Sequence, residues 1–132
     1  MIGGPFEFEL TPDVDAPGVA RRLLRDWFAP VLADGTLTVA RLLVSELVTN
    51  AVRHGRGAIT LRAQMFERRL FVEVIDEGDG FEDDLRERES QASEAGGWGL
   101  SVVDAESSRW GLRRGGSHVW FELERPGPWL VP

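Results

Sequence analysis

The sequence contains no cysteine and no lysine, and only two of its 132 residues are histidine. Without cysteine, neither a disulfide framework nor a thiolate metal site is possible, and two histidines are too few for a zinc site of the usual ligand count. All fifteen basic residues are arginine. A P-loop, whose lysine reaches the β- and γ-phosphates of a nucleotide, is therefore excluded. Any nucleotide that this chain binds must be held in another way.

Long apolar runs and basic patches are also missing. No stretch approaches the roughly 18 apolar residues of a membrane span, and the N-terminus MIGGPFEFEL lacks the basic start and apolar core of a signal peptide. The net charge of −7 argues against binding to a nucleic-acid backbone. We expect one cytoplasmic domain over residues 1–132, with no membrane segment, no nucleic-acid contact, and a protein or small molecule as its partner.

The stretch Leu42 to Gly55, together with Ala40 just before it, has the apolar period of a helix with one buried face. Its apolar residues recur at i, i+3, i+4, i+7 and i+11 and are Ala40, Leu43, Val44, Leu47 and Ala51. At about 100° per residue, Glu46 and Asn50 project together along the edge of that face, one turn apart. Taken alone, such a pair is more often part of a solvated helix face than of a ligand cleft.

Alternating apolar residues predict five strands. The first, from Phe6 to Leu10, is expected at a sheet edge. The next two, Ile59 to Met65 and Leu70 to Val74, form a hairpin. The last two, Trp110 to Leu112 and Val119 to Leu123, form a second hairpin around a two-residue glycine turn.

Two further helices complete the pattern. The first has an apolar stripe ending at Phe28, is capped by Asp15, and is closed by Pro30 and Asp34-Gly35. Its arginines are expected to face solvent or a partner: Arg21, Arg22 and Arg25. A short helix runs from Leu100 to Ser107, and Thr36 or Thr38 is expected to cap the central helix. Strands in one mixed, mostly antiparallel sheet with helices on one face make a two-layer α+β sandwich.

Two glycine turns follow the Glu46 and Asn50 pair along the chain. The first is Asp76-x-Gly78-x-Gly80, at the end of an apolar strand. The second, Gly97-x-Gly99-Leu100, follows the polar segment 82–95, which carries six acids against two arginines and is expected to be a mobile loop or a marginal helix. Each piece is common by itself. In this order and at this spacing, the Glu46 and Asn50 pair and the two glycine turns form a specific sequence pattern.

The runs SELVTNAVRHG, VIDEGDGF and GGWGLSVVDAESSRWG resemble the nucleotide-binding motifs of the Bergerat-fold (GHKL) ATPases. Within that superfamily they are most similar to the small bacterial anti-sigma-factor serine/threonine kinases. The resemblance covers almost the whole chain, and the Bergerat ATP-binding fold that it implies agrees with the α+β sandwich predicted from periodicity.

The resemblance implies ATP and Mg²⁺ as cofactors and gives individual side chains a role. Asn50 would ligate Mg²⁺, Glu46 would be the general base, and Asp76 would accept a hydrogen bond from the adenine amine. Arg53 would either add positive charge near the phosphates or remain solvated. Ser117 would either offer its hydroxyl to a phosphate or be an ordinary turn residue.

The glycines have backbone roles in the same resemblance. Gly78 and Gly80 would let the backbone approach the base and ribose. Gly97 and Gly99 would form the hinge of a lid that ends at Leu100 and brings backbone N–H groups to the phosphates.

Two functions remain open from the sequence. The first is a kinase that phosphorylates an anti-anti-sigma (STAS-type) protein and otherwise sequesters a sigma factor, in a group where homodimers are common. The second is a nucleotide-dependent binding switch with little or no phosphoryl transfer, which Trp98 in the lid hinge and the acidic lid favour. A detached histidine-kinase domain and a ligand-free structural domain are weaker hypotheses.

Overall fold

The computed structural model describes residues 3–78, 100–113 and 117–124. Three helices and five strands lie in these ranges. In chain order they are β1 (Gly3–Leu10), α1 (Ala16–Phe28), α2 (Asp34–His54), β2 (Ile59–Met65), β3 (Arg69–Ile75), α3 (Leu100–Glu106), β4 (Arg109–Arg113) and β5 (His118–Glu124). The predicted 82–95 segment, the hinge at Gly97 and Gly99, and the glycine turn of the second hairpin lie outside the described residues.

The strands form one sheet in the order β1-β2-β3-β5-β4, and every neighbouring pair is antiparallel. Both predicted hairpins are confirmed, as is the edge position of β1. Across the β1–β2 pair, Arg62 Nε lies 2.6 Å from Glu7 Oε1. This hydrogen bond raises the pKa of the Arg62 guanidinium above its ordinary value.

The helices cover one face of the sheet. Along β2, β3 and β5 every second residue is buried, as expected for strands with one covered face. Helix α2 lies in the middle of the helical layer, where it contacts α1, α3 and the central strands. The two-layer α+β sandwich is thus confirmed. No helix within the described ranges is long and apolar enough to cross a membrane.

Helix α2 supplies the centre of the core. Leu43, Val44 and Leu47 are almost fully buried, together with Ala40 and Ala51 at the predicted spacing. Each large aliphatic side chain buried in this way contributes about 1.5–3 kcal/mol relative to its exposure to water. The buried face therefore fixes the rotation of α2, and with it the direction in which Glu46 and Asn50 project.

Aromatic residues join α1 to the edge strand. Phe6 on β1 stacks on Trp27, with ring centroids 5.1 Å apart, and meets Phe28 edge to face at 5.5 Å. Phe28 is fully buried. Two turns before Phe28 on α1, Arg21 donates a hydrogen bond to the Ser45 hydroxyl on α2 at 2.7 Å. Arg21 is therefore a link between helices, whereas its neighbours Arg22 and Arg25 are exposed as predicted.

The helix starts differ from the predictions. Helix α2 begins at Asp34, so Asp34-Gly35 opens this helix and does not close α1, and neither Thr36 nor Thr38 is its cap. The Thr38 hydroxyl instead bonds to the Asp34 carbonyl one turn back. Asp15 does occupy the cap position of α1, but its side chain makes no capping bond. The Asp13 carboxylate accepts the Asp15 N–H instead.

Candidate functional site

The described residues include only three polar or charged side chains that are buried, and all three are predicted site residues. Asn50 and Asp76 are 4% exposed and Ser117 is 2% exposed. The rest of the buried set is apolar. Because burying a polar group is costly unless the group is satisfied, a core that keeps these three residues and no others points to a function at this place.

Glu46 and Asn50 lie on the same side of α2, one turn apart. Glu46 is half-buried and Asn50 is buried. Within the described part of the chain, the Asn50 Nδ2 atom is buried and has no hydrogen-bond partner. A buried polar group without a partner lowers the free energy of unfolding by about 1–3 kcal/mol. Since the oxygen and nitrogen of an amide are interchanged by rotation about χ2, the orphaned position can also present the oxygen.

Asp76 follows the last residue of β3 and is held by backbone groups from three directions. Its N–H donates to the Ser117 carbonyl at 2.9 Å. Its Oδ1 accepts the Gly78 N–H at 2.7 Å and the Arg56 N–H at 3.3 Å. These bonds fix the carboxylate beside the C-terminus of α2. The helix ends at His54, and at the next residue, Gly55, a Cβ atom would lie 2.5 Å from Asp76 Oδ2.

Ser117 joins β5 to the Asp76 turn through its carbonyl. The next residue, His118, is the register partner of Ile75 on β3. The His118 Nε2 forms a short hydrogen bond with the Glu73 carboxylate on the same face of the sheet. The two strand ends that carry Asp76 and Ser117 are thus fastened together by main-chain and side-chain bonds.

The remaining predicted residues divide into described and undescribed positions. Leu100 is buried as the first residue of α3, and Arg53 is exposed in the last turn of α2. Gly78 lies directly against Asp76, and its own Cβ position would be 2.9 Å from Asp76 Oδ1. Gly80, Gly97 and Gly99 lie outside the described residues. Asp76, Gly78 and Ser117 therefore meet, and α2 ends against them.

A cleft of about 320 Å³ opens beside the Asp76 turn. Its lining includes Thr60 and Ile75, which alternate with buried core residues and so lie on the face of the sheet without described helices. This cleft is therefore on the other side of the sheet from Asn50. Its full lining is Glu9, Ala58, Thr60, Ile75, Asp76, Glu77 and Gly78.

The donor set fits Mg²⁺ held largely by a nucleotide. Among the described residues there is no group of three or more His, Cys, Asp or Glu side chains that could bind a metal by itself. Mg²⁺ commonly takes one or two protein oxygens and completes its octahedron with phosphates and water. The buried amide of Asn50, whose Nδ2 has no partner among the described residues, suits that arrangement better than it suits an apolar core.

Comparison with known proteins identifies the family. The chain matches the family described as the histidine kinase-like ATPase domain over residues 9–122. It therefore belongs to this family. The matched range contains every candidate site residue, from Glu46 to Ser117.

Two relatives are more specific. Over 79 residues the chain is 37% identical to the serine-protein kinase RsbW of Bacillus subtilis (strain 168), a match that covers 48% of this chain and 49% of that protein. Over 44 residues it is 48% identical to the anti-sigma F factor of Caldanaerobacter subterraneus subsp. tengcongensis, covering 30% of this chain and 31% of that protein. The chain thus spans about half the length of the first relative and about a third of the second.

The loop at residues 55–58 belongs to the site although the sequence did not predict it. From the sequence, Gly55 and Gly57 indicate only the end of a helix. The structure shows that Arg56 donates an N–H to Asp76 and that Glu77 accepts the N–H of Ala58. The only indication of this loop in the sequence is that Gly55 and Gly57 follow the helix and that the later turn carries two acids, Asp76 and Glu77.

Proposed function

We propose that this protein is an ATP-binding regulator of the anti-sigma type: a cytoplasmic serine/threonine kinase that phosphorylates a STAS-type anti-anti-sigma protein and otherwise sequesters a sigma factor. The observation that carries the proposal is the coincidence of Asn50, Asp76 and Ser117, the buried polar residues of the described structure, with the predicted nucleotide site. Family membership and the names of the two relatives support the same function.

Three side chains divide the chemistry. Asp76 accepts a hydrogen bond from the exocyclic amine of adenine, and its backbone partners hold it in place to do so. Asn50 ligates the Mg²⁺ that accompanies ATP, and ATP supplies the phosphoryl group for transfer. Glu46 accepts the proton of the partner's serine or threonine hydroxyl while that oxygen bonds to the γ-phosphorus and ADP leaves.

The other predicted residues surround the nucleotide in this proposal. Gly78 and Gly80 bring the backbone close to the base and ribose. The lid hinge approaches the phosphates through Gly97, Gly99 and Leu100. Arg53 and Ser117 add a charge and a hydroxyl at the phosphate end.

A second function, a nucleotide-dependent switch without phosphoryl transfer, is favoured by one feature of the sequence. The segment 82–95 carries a net charge of −4, from six acids and two arginines, and Trp98 follows it in the predicted lid hinge. Negative charge near a triphosphate is unfavourable, so this segment opposes closure over ATP. The switch needs Asp76 and Asn50 but not Glu46.

The Glu46→Gln variant therefore separates the two functions. The chain is incubated with γ-labelled ATP, Mg²⁺ and candidate STAS-type proteins, and phosphoserine or phosphothreonine is measured. As a kinase, the wild type labels one partner, and Glu46→Gln loses about 10²- to 10⁴-fold in rate while its ATP affinity stays within about twofold. Glu124→Gln, an exposed carboxylate at the far end of the sheet, serves as the matched control.

The switch gives a different pattern. No labelling occurs, sigma-factor affinity changes with ATP or ADP, and Glu46→Gln behaves as the wild type. Partner affinity that ignores nucleotide, together with no labelling, contradicts both functions.

A further inference from the structure

Two loops that follow different elements are bound to each other at the site. Residues 55–58 follow α2 and residues 76–78 follow β3. Three hydrogen bonds cross between them: Arg56 N–H to Asp76 Oδ1 at 3.3 Å, Glu77 N–H to the Arg56 carbonyl at 2.8 Å, and Ala58 N–H to Glu77 Oε1 at 2.5 Å. Two of the three involve Glu77, which no part of the proposed function uses.

The Glu77 side chain is held although the residue is exposed. Its carboxylate lies directly against the backbone of Gly57, where a Cβ atom would be 2.5 Å from Oε1 and 2.8 Å from Cδ. Gly57 also has φ +69°, a conformation that glycine adopts at little cost. The glycine thus permits the close approach, and the carboxylate accepts the N–H of the next residue.

The position of Asp76 depends on this contact through Arg56. The Arg56 N–H is a donor to the Asp76 carboxylate, and its carbonyl is the acceptor for Glu77. A loop anchored at Ala58 by Glu77 presents the Arg56 N–H in one place. Without that anchor, the 56–58 backbone exchanges its hydrogen bond for one to water, and Asp76 loses a donor that orients it.

We propose that Glu77 is a positioning residue for recognition of the nucleobase: by anchoring the 56–58 backbone it fixes the orientation in which Asp76 meets the adenine amine. This inference rests on the proposed function. In this inference Glu77 acts on Asp76 through the Arg56 backbone, which bonds to both residues.

The test compares ATP with inosine triphosphate, which carries a carbonyl oxygen in place of the adenine amine and is otherwise held by the same phosphate contacts. Calorimetry measures both affinities for the wild type, Glu77→Ala, Glu77→Gln and Glu9→Ala. Glu9→Ala removes an exposed carboxylate from the same cleft without touching the loops.

We expect Glu77→Ala to weaken ATP binding by about fivefold and inosine triphosphate binding by less than about twofold, so that the preference for adenine falls. Glu77→Gln retains an oxygen that accepts the Ala58 N–H and restores the preference. Glu9→Ala behaves as the wild type. A merely structural role would weaken both nucleotides equally and would not move their ratio.

Amide hydrogen exchange gives a readout that needs no nucleotide. The Ala58 and Arg56 amides should lose protection in Glu77→Ala and keep it in Glu77→Gln. An unchanged nucleotide preference in Glu77→Ala, or unchanged Arg56 protection, overturns this inference alone. A wild-type chain that binds no ATP overturns the proposed function, and the inference falls with it.

Discussion

Replacing Asn50 by leucine should make the unliganded protein more stable and remove the gain in ATP binding that Mg²⁺ gives. Asn50 is 4% exposed and its Nδ2 has no partner in the described part of the chain. Leucine has the same branched shape and no polar atom, so it fills the space without an unsatisfied group. Residues retained for a ligand commonly cost stability in this way.

The magnitude follows from three contributions. Removing an unsatisfied buried amide is worth about 1–3 kcal/mol, and the better helix propensity of leucine adds roughly 0.4 kcal/mol. Imperfect packing of the new side chain takes back up to about 1.5 kcal/mol. A net gain of about 1–2 kcal/mol remains. With an unfolding entropy of roughly 0.28 kcal/mol/K for 132 residues, the Tm should rise by about 4–7 °C.

Urea unfolding without nucleotide, followed by tryptophan fluorescence, measures this difference. Asn50→Ala is the control, because it removes the amide but leaves a void, and it should lie within about 1 kcal/mol of the wild type. With ATP present, addition of Mg²⁺ should further stabilise the wild type alone. An Asn50→Leu variant that is less stable than the wild type by more than about 1 kcal/mol would refute the reasoning, since the amide would then be satisfied in the native fold.

Three further predictions concern the stability of the fold outside the nucleotide-contacting side chains. Phe28→Ala should lower the free energy of unfolding in urea by about 3–5 kcal/mol, because Phe28 is fully buried against Phe6. The ATP affinity of the folded variant should stay within about twofold, and a large loss of affinity would show that the two regions are coupled. Gly57→Ala should lower the free energy of unfolding by about 1–2 kcal/mol in the same assay, because the φ of Gly57 is +69° and an added Cβ would lie 2.5 Å from Glu77 Oε1. An unchanged urea midpoint would count against this loop geometry. Arg62→Ala should lower the free energy of unfolding by less than about 1 kcal/mol, although Arg62 and Glu7 form a 2.6 Å ion pair, because their side chains are 48% and 60% exposed. A loss above about 2 kcal/mol would contradict this prediction.

The sequence alone predicted the strands of the sheet and the buried face of α2. Strands β2, β3 and β5 alternate with a period of two, and Leu43, Val44 and Leu47 follow a period of 3.6, because one face of each element is covered. Asn50 and Asp76 interrupt these patterns, as a polar residue on a buried face and an acid directly after an apolar strand. Such interruptions can be recognised in the amino-acid sequence itself, because the surrounding period is regular.

Helix starts were predicted poorly because several nearby residues can supply the same bond. Around Asp34, two threonines and an aspartate compete, and the chain begins the helix at the aspartate, whose charge favours the N-terminal end of the dipole. Near Asp15, a neighbouring aspartate at position 13 bonds to the backbone instead. Local composition shows that a cap is available, but not which residue forms it.

The contact between the 55–58 and 76–78 loops could not be predicted. Two of its three hydrogen bonds join backbone N–H groups to side chains about twenty positions away, and none of the three has a period in the sequence. The hydrogen bond from Arg21 to Ser45 could not be predicted either, because it depends on how α1 lies against α2. The order of elements is local information, whereas these contacts come from packing.

Calorimetric titration of ATP with and without Mg²⁺ tests the central claim most directly, using the wild type, Asp76→Asn and Asn50→Ala. The asparagine oxygen can still accept the Gly78 and Arg56 N–H groups, so Asp76→Asn should keep the fold. The account predicts that the wild type binds ATP, that Asp76→Asn loses at least about tenfold in affinity, and that Mg²⁺ strengthens binding only when Asn50 is present. A wild-type chain that binds no ATP, or one whose affinity ignores both substitutions, would contradict it.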